Sequence, residues 1–261
     1  MSKRLNHPMG PLHTAAFVLG LCLAGPTALA QHAGDVIVAV NSNGQLAIDP
    51  AGFVPDLNYF TLPVGGVFFP GWADSSPGFD HLVVAQPADD LFPMQTGASI
   101  DLEIIDVDPA FQVVVLGNPP LFLDQPGQST FLGDHTLHEH LTFHINADAL
   151  AYDPDQCVWH ATFTLRDTGT TAYDDSSPLA FRFTNVELRE ADGDFDEDSD
   201  IDGDDIAAIT ECLQGPNATP IPTDSELSTC EVDCINPFDF DGDLDVDLED
   251  YASFASVLAN E

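Results

Sequence analysis

Residues 157–166 read CVWHATFTLR, and the alternation in this run decides the fold. Cys157, Trp159, Ala161, Phe163 and Leu165 fall on one side of an extended chain, and Val158, His160, Thr162, Thr164 and Arg166 fall on the other. That period of two marks a half-buried strand. Residues 137–145 (LHEHLTFHI) divide the same way, with His138, His140, Thr142 and His144 on one face and Glu139, Leu141, Phe143 and Ile145 on the other. Working outward, residues 35–40, 45–48, 58–62, 67–70, 81–85, 100–105, 112–116 and 179–188 are further strand candidates. Turn signals separate them at 41–44 (NSNG), 75–78 (SSPG) and 125–127 (QPG). Short strands at this cadence, with no helical period, predict an antiparallel β-sandwich of immunoglobulin-like or jelly-roll-like type over residues 31–190.

Beyond residue 190 the pattern changes. Residues 194–205 (DFDEDSDIDGDD) and 239–250 (DFDGDLDVDLED) place carboxylates at positions 1, 3, 5, 7, 9 and 12 of one twelve-residue frame, with an aliphatic residue at position 8. Oxygens at this spacing wrap a single hard cation such as calcium. Each stretch leads into residues at helical spacing, Ile206, Ile209 and Leu213 after the first and Tyr251, Phe254, Ala255 and Leu258 after the second. A merely solvated acidic tail would not repeat register, aliphatic position and helical period together. Residues 214–229 form a polar, proline-containing link between the two units.

This duplicated loop–helix arrangement resembles the type I dockerins, and the likeness covers residues 191–261. It implies two calcium ions, one held by Asp194, Asp196, Asp198 and Asp205 with the carbonyl of Asp200. The other would be held by Asp239, Asp241, Asp243 and Asp250 with the carbonyl of Asp245, and Asp202 and Asp247 would act through water. It also implies a cohesin-like or other extracellular protein partner. The chain departs from the family at position 6, where Ser199 and Leu244 replace the usual glycine. At positions 10 and 11 it has Gly203-Asp204 and Leu248-Glu249 in place of small hydroxyl residues. A leucine held at positive φ costs about 1 kcal/mol or more, which predicts a weaker second site.

The histidines offer a second metal reading. If residues 137–145 and 157–166 pair as a hairpin around 146–156, His160 joins His138, His140 and His144 on one sheet face. Clustered neutral imidazoles suit zinc or copper. The competing reading is a polar sheet face whose histidines bond to neighbours. The run at 34–48 (GDVIVAVNSNGQLAI) together with LHEHLTFHI resembles bacterial surface-associated β domains with an HxH motif, which implies surface or extracellular life.

Composition narrows the function classes. The chain has 44 acidic and 5 basic residues. After residue 30 only Arg166, Arg182 and Arg189 are basic, and three arginines against 44 carboxylates leave a formal charge of −41. Such a surface repels nucleic acid and anionic lipid. Without lysine in this region, Schiff-base and P-loop chemistry are also excluded. Residues 1–30 read as a secretory signal: Lys3 and Arg4, an apolar run, then Ala28-Leu29-Ala30. No segment is apolar enough for membrane insertion.

Export permits disulfides among Cys157, Cys212, Cys230 and Cys234. Cys212 with Cys230 or Cys234 is the staple their positions suggest, and four cysteines allow three connectivities. No nucleophile elbow or phosphate loop is present, so no catalytic residues are assigned. Asp80, Asp101, Glu103 and Asp106 are candidate carboxylates for a polysaccharide-acting site, with Trp72 and Phe79 as a candidate sugar platform. The expectation is a secreted calcium-binding protein whose tail tethers a β domain, in units 1–30, 31–190 and 191–261. A polysaccharide-acting or carbohydrate-binding component and a transition-metal protein are the alternatives. The short connector near Ala191 predicts that the last two units touch.

Overall fold

The computed structural model describes residues 35–51, 59–196, 198, 201–216, 218–220 and 230–259. The stretch 1–30 read as a secretory signal, the position-6 residue Ser199 and the expected carbonyl ligand Asp200 lie outside them. The described residues are mostly β: thirteen strands in three sheets, with three short helices. The first sheet runs β10 (His138–Glu139), β5 (Phe79–His81), β1 (Val36–Val40), β2 (Leu46–Ile48). The second runs β4 (Gly71–Asp74), β11 (Thr142–Asn146), β7 (Phe111–Val115), β8 (Leu121–Leu123). The third runs β3 (Tyr59–Thr61), β13 (Leu179–Thr184), β12 (Val158–Asp167), β6 (Ser99–Val107), β9 (Ser129–Asp134).

The pattern at 157–166 predicts β12 well. Trp159, Ala161, Phe163 and Leu165 are buried and His160 and Arg166 exposed. One core draws on all three sheets, and Phe79, Phe111, Phe143, Phe163, Phe181, Phe183 and Trp159 are its largest fully buried side chains. Burial of each such ring contributes roughly 2–3 kcal/mol, which is why aromatic alternation dominates the local choice of strand.

Three expectations are corrected. The sheets are not wholly antiparallel, because β1 pairs β5 and β13 pairs β3 in parallel. Residues 67–70 form a turn, with the strand just after them at β4, and 81–85 are strand only at His81, where β5 ends. Residues 137–145 are not one strand. The chain leaves the first sheet after Glu139 and enters the second at Thr142, so β11 pairs with β4 and β7, whereas β12 pairs with β6 and β13. The hairpin assumed for the histidine stripe is therefore absent. Its connection is long for a hairpin, whose loops usually hold 2–5 residues, and both faces of β11 are covered from Thr142 to Ile145.

The helices are α1 (Gly203–Cys212), α2 (Val232–Phe238) and α3 (Leu248–Leu258). Ala208, Ile209, Cys212, Cys234, Phe238, Val246 and Phe254 form their core, with Phe195, Ile201 and Phe240 packed against it. The position-8 residues Ile201 and Val246 thus point inward from each loop. The described residues form one compact unit, and α2 is the piece that joins the β strands to the loops. Cys230, just before α2, is disulfide-bonded to Cys157 at the start of β12, and Cys234 within α2 is bonded to Cys212 at the end of α1. Val232 and Ile235 pack against Tyr59 and Val158, which explains why Val158 is buried on the nominally outward face of β12.

Polar contacts reinforce the same seam. The Tyr59 hydroxyl donates to Glu231 Oε1 at 2.6 Å and accepts from Arg182 at 3.0 Å. Asn236 donates to the Glu187 carbonyl at 3.0 Å and accepts from the Arg189 N–H at 3.1 Å, pinning the connector alongside α2. Burial and the Glu231 carboxylate push the Tyr59 hydroxyl's pKa well up, so it remains a donor.

Candidate metal centres

The two acidic loops repeat one hydrogen-bond pattern. At position 12, Asp205 accepts from Phe195 N at 2.7 Å through Oδ1 and from Asp202 N at 2.8 Å through Oδ2. Asp250 accepts from Phe240 N at 2.8 Å and from Asp247 N at 2.8 Å. Both carboxylates are buried. Position 9 supplies the helix N-cap in each unit: Asp202 accepts from Asp204 N and Asp247 from Glu249 N, and each forms a capping box with position 12. A capping box satisfies otherwise orphaned N–H groups and fixes where the helix starts. At position 1, Asp194 accepts from Asp198 N and Asp239 from Asp243 N, both at 3.1 Å.

This closure gathers oxygens. Asp194, Asp196 and Asp205 each present an oxygen within 4.8 Å of the others, and so do Asp239, Asp241 and Asp250. Two oxygens sharing a calcium at ~2.4 Å lie at most about 4.8 Å apart, so both triads fit one ion. Asp198 and Asp243 do not join these triads through their side chains. Asp245, expected to contribute its carbonyl, also brings a buried carboxylate within the same distance of Asp247 and Asp250. The frame alone does not reveal that grouping. A position-12 carboxylate has about four lone-pair directions, and the two N–H bonds to Asp205, or the three to Asp250 once the longer one from Asp241 N is included, leave room for a cation.

The loops' electrostatics point the same way. Burial pushes Asp239 up to about 6, and the Asp250 charge adds to the shift against N–H bonds from Leu244, Gly242 and Asp243. Burial also raises Asp243, Asp250 and Asp196, and neighbouring aspartates add to each. Crowded carboxylates favour a proton or another positive charge among them.

Position 6 of the second loop, Leu244, has φ +69°. The leucine side chain packs onto the cluster of Tyr59, Val158, Val232 and Ile235. The strain expected of a non-glycine residue there thus has a local counterweight, because the side chain fills the seam between the loop and β12.

The histidines do not converge as four. His144 is buried, and its ring bonds Gln112 at 2.7 Å and the Pro70 carbonyl at 3.0 Å. Burial lowers its pKa, so it is a neutral core histidine. His160 faces Asp108 at 3.2 Å, and that hydrogen bond raises its pKa. His138 and His140 stay together, with ring centroids 5.2 Å apart.

The proposed sugar platform does not form, because Phe79 is fully buried and Trp72 stacks on Tyr152. Glu103 is paired with Arg166. No helix among the described residues is long and apolar enough to cross a membrane. No protein-family model matches the chain, and no curated protein matches it by sequence.

Proposed function

We propose that the protein is a secreted calcium-binding protein whose two loop–helix units hold one calcium ion each and tether a sandwich-like β domain to an extracellular or cell-surface partner. The observation that carries this reading is the duplicated closure at position 12, where Asp205 and Asp250 make the same pair of backbone bonds and sit in matching oxygen triads. A chance acidic tail has no reason to repeat that geometry. Calcium would neutralise carboxylates that otherwise repel one another, and it would stabilise the folded units by about 4 kcal/mol at 1,000 times its dissociation constant.

The tethering face would lie on α1 and α3. Ile206 and Tyr251, each the first residue after position 12, are both exposed apolar residues, and Leu248 is exposed nearby. Matching exposed apolar positions on two related helices suit a protein partner that spans both units. The two disulfides favour an oxidising compartment.

Titration calorimetry on the full chain, after chelation and dialysis, should find two calcium ions per chain. Helical circular dichroism should fall on chelation and return with calcium, and Asp205→Ala and Asp250→Ala should each abolish one site. Unchanged ellipticity and thermal unfolding with and without chelator would sink the proposal.

A further inference from the structure

Asp35 lies immediately before β1, where that strand runs beside β5, and β10 borders β5 on its other side. Its carboxylate is buried, and Oδ1 accepts from the Gly78 N–H at 3.0 Å, which fixes the group in place. Oδ2 faces His140 Nε2 at 4.0 Å. One ligand atom each from Asp35, His138 and His140 falls within 4.8 Å of the other two. The His140 ring is already oriented. Its Nδ1 lies 3.0 Å from the Ser75 carbonyl, and since a carbonyl only accepts, Nδ1 carries the proton there, so that in the neutral ring Nε2 offers its lone pair. A ring held by a backbone carbonyl through its outer nitrogen is the usual support of a metal-bound imidazole. Asp80, itself buried, stands 3.7 Å from His138 Nδ1 and adds negative charge behind the second ring.

Space at this corner depends on the absence of a side chain at Gly78. A Cβ there would come within 2.7 Å of His140 Nε2 and 2.8 Å of Asp35 Oδ1. The imidazole and carboxylate therefore meet over bare backbone, and almost any substitution would displace one of them.

We propose that Asp35, His138 and His140 bind one zinc-class divalent cation, with a fourth position open to solvent. Two imidazoles and a carboxylate are a borderline donor set, suited to zinc rather than calcium. Ligand atoms of a tetrahedral zinc centre lie roughly 3.3–3.5 Å apart, so closure from the present spacing needs small rotations of the two histidines. Both rings are partly exposed at the rim. The site is separate from the acidic loops and from His144 and His160, and it does not depend on calcium binding.

The test is zinc titration of the full chain in saturating calcium, followed by calorimetry and, with cobalt(II) as substitute, by visible absorption. One zinc per chain is expected. His140→Ala and His138→Ala should each weaken binding by ~100-fold or more, exceeding the effect typical of outer supporting groups. Gly78→Ala, which removes no ligand, should weaken it by ~10-fold or more, in the range seen when supporting groups are disturbed. His160→Ala should leave it unchanged. If a Gly78 variant fails to fold, the exposed His138→Ala variant decides. Absence of stoichiometric zinc, or affinity unchanged by His138→Ala and His140→Ala, would overturn the proposal and leave an imidazole–carboxylate contact only.

Discussion

The β strands and the acidic loops hold their shapes by opposite means. In the strands, Phe79, Phe111, Phe143, Phe163, Phe181, Phe183 and Trp159 are fully buried in one apolar core. In the loops, a small apolar cluster around Phe238 and Phe254 sits beside buried Asp205, Asp245 and Asp250. Apolar burial stabilises whatever the ionic conditions, but buried carboxylates cost free energy unless their charge is answered. The comparison teaches that the strand core needs no ion to answer buried charge, while under the calcium reading the loop region folds conditionally. Helix α2 stands between them, tied to α1 by a disulfide within it and to β12 by one just before it, and it sets how far one region feels the state of the other.

The largest test of this contrast removes the covalent link. The Cys157–Cys230 bridge closes a sequence separation of 73 residues, and in the chain-entropy account such a cross-link contributes about 4 kcal/mol. Cys157→Ser/Cys230→Ser is expected to lower stability by about that much. It should also split thermal unfolding in chelator into an early helical step and a later β step. Both tryptophans, Trp72 and Trp159, lie in the strand region, so their fluorescence follows the β step while helical circular dichroism follows α1 and α3. Coincident transitions in the double variant would show that apolar packing at Tyr59, Val158, Val232 and Ile235 unites the regions by itself.

What the chain made legible divides along the same line. The alternation at 157–166 announced β12 and its buried face, because each inward residue adds to one core. The repeated loops announced that a helix follows each, but not that Asp202 and Asp247 cap them so that they begin inside the loop, at Gly203 and Leu248. Features set by distant partners stayed hidden. The split at His140 and Leu141 depends on β11 being claimed by β4 and β7, which no pattern within 137–145 records. His144 looked like a ligand because its alternation matched His138 and His140, yet the second sheet buries it against Gln112 and Pro70. Asp35 carried no metal signal, since its partners lie about a hundred residues on. Helix α2 was missed as well, being short and containing Pro237. Its position is imposed by two cysteines and a seam.

A smaller effect is expected at Leu244. Its φ of +69° costs about 1 kcal/mol relative to glycine, but its side chain fills the seam cluster. Leu244→Gly should therefore tighten calcium at the second loop by up to ~5-fold, from relief of strain of that size. It should also lower the melting temperature of the calcium-free chain through lost packing. Loss of calcium affinity in this variant would mean that the leucine orders the loop, and that the seam stabilises the site more than glycine's freedom does.

The smallest effect, and the one that best separates the regions, is in pH. In the absence of calcium, Asp239 is pushed up to about 6 by burial, and Asp243, Asp250 and Asp196 move the same way. An unfolded aspartate titrates near ~3.9, so between there and about 6 the folded loops hold more protons than the unfolded chain. The stability from that difference is fully present below the unfolded value and is lost as pH rises through about 6. The helical transition in chelator should thus move to higher temperature on going from neutral pH to pH ~5. With calcium bound the sign should reverse, because protons and the ion compete for the same oxygens. In the strand region two histidines oppose each other. His160, raised by its Asp108 hydrogen bond, gains stability as pH falls through its raised value toward the unfolded one, and His144, lowered by burial, gives stability up as pH falls on below the unfolded value. Tryptophan-detected unfolding should accordingly change little over the same interval, whether calcium is present or not. If instead fluorescence and ellipticity shift together, with the same sign in calcium and in chelator, relief of the general negative charge governs both regions and the loops have no separate acid response.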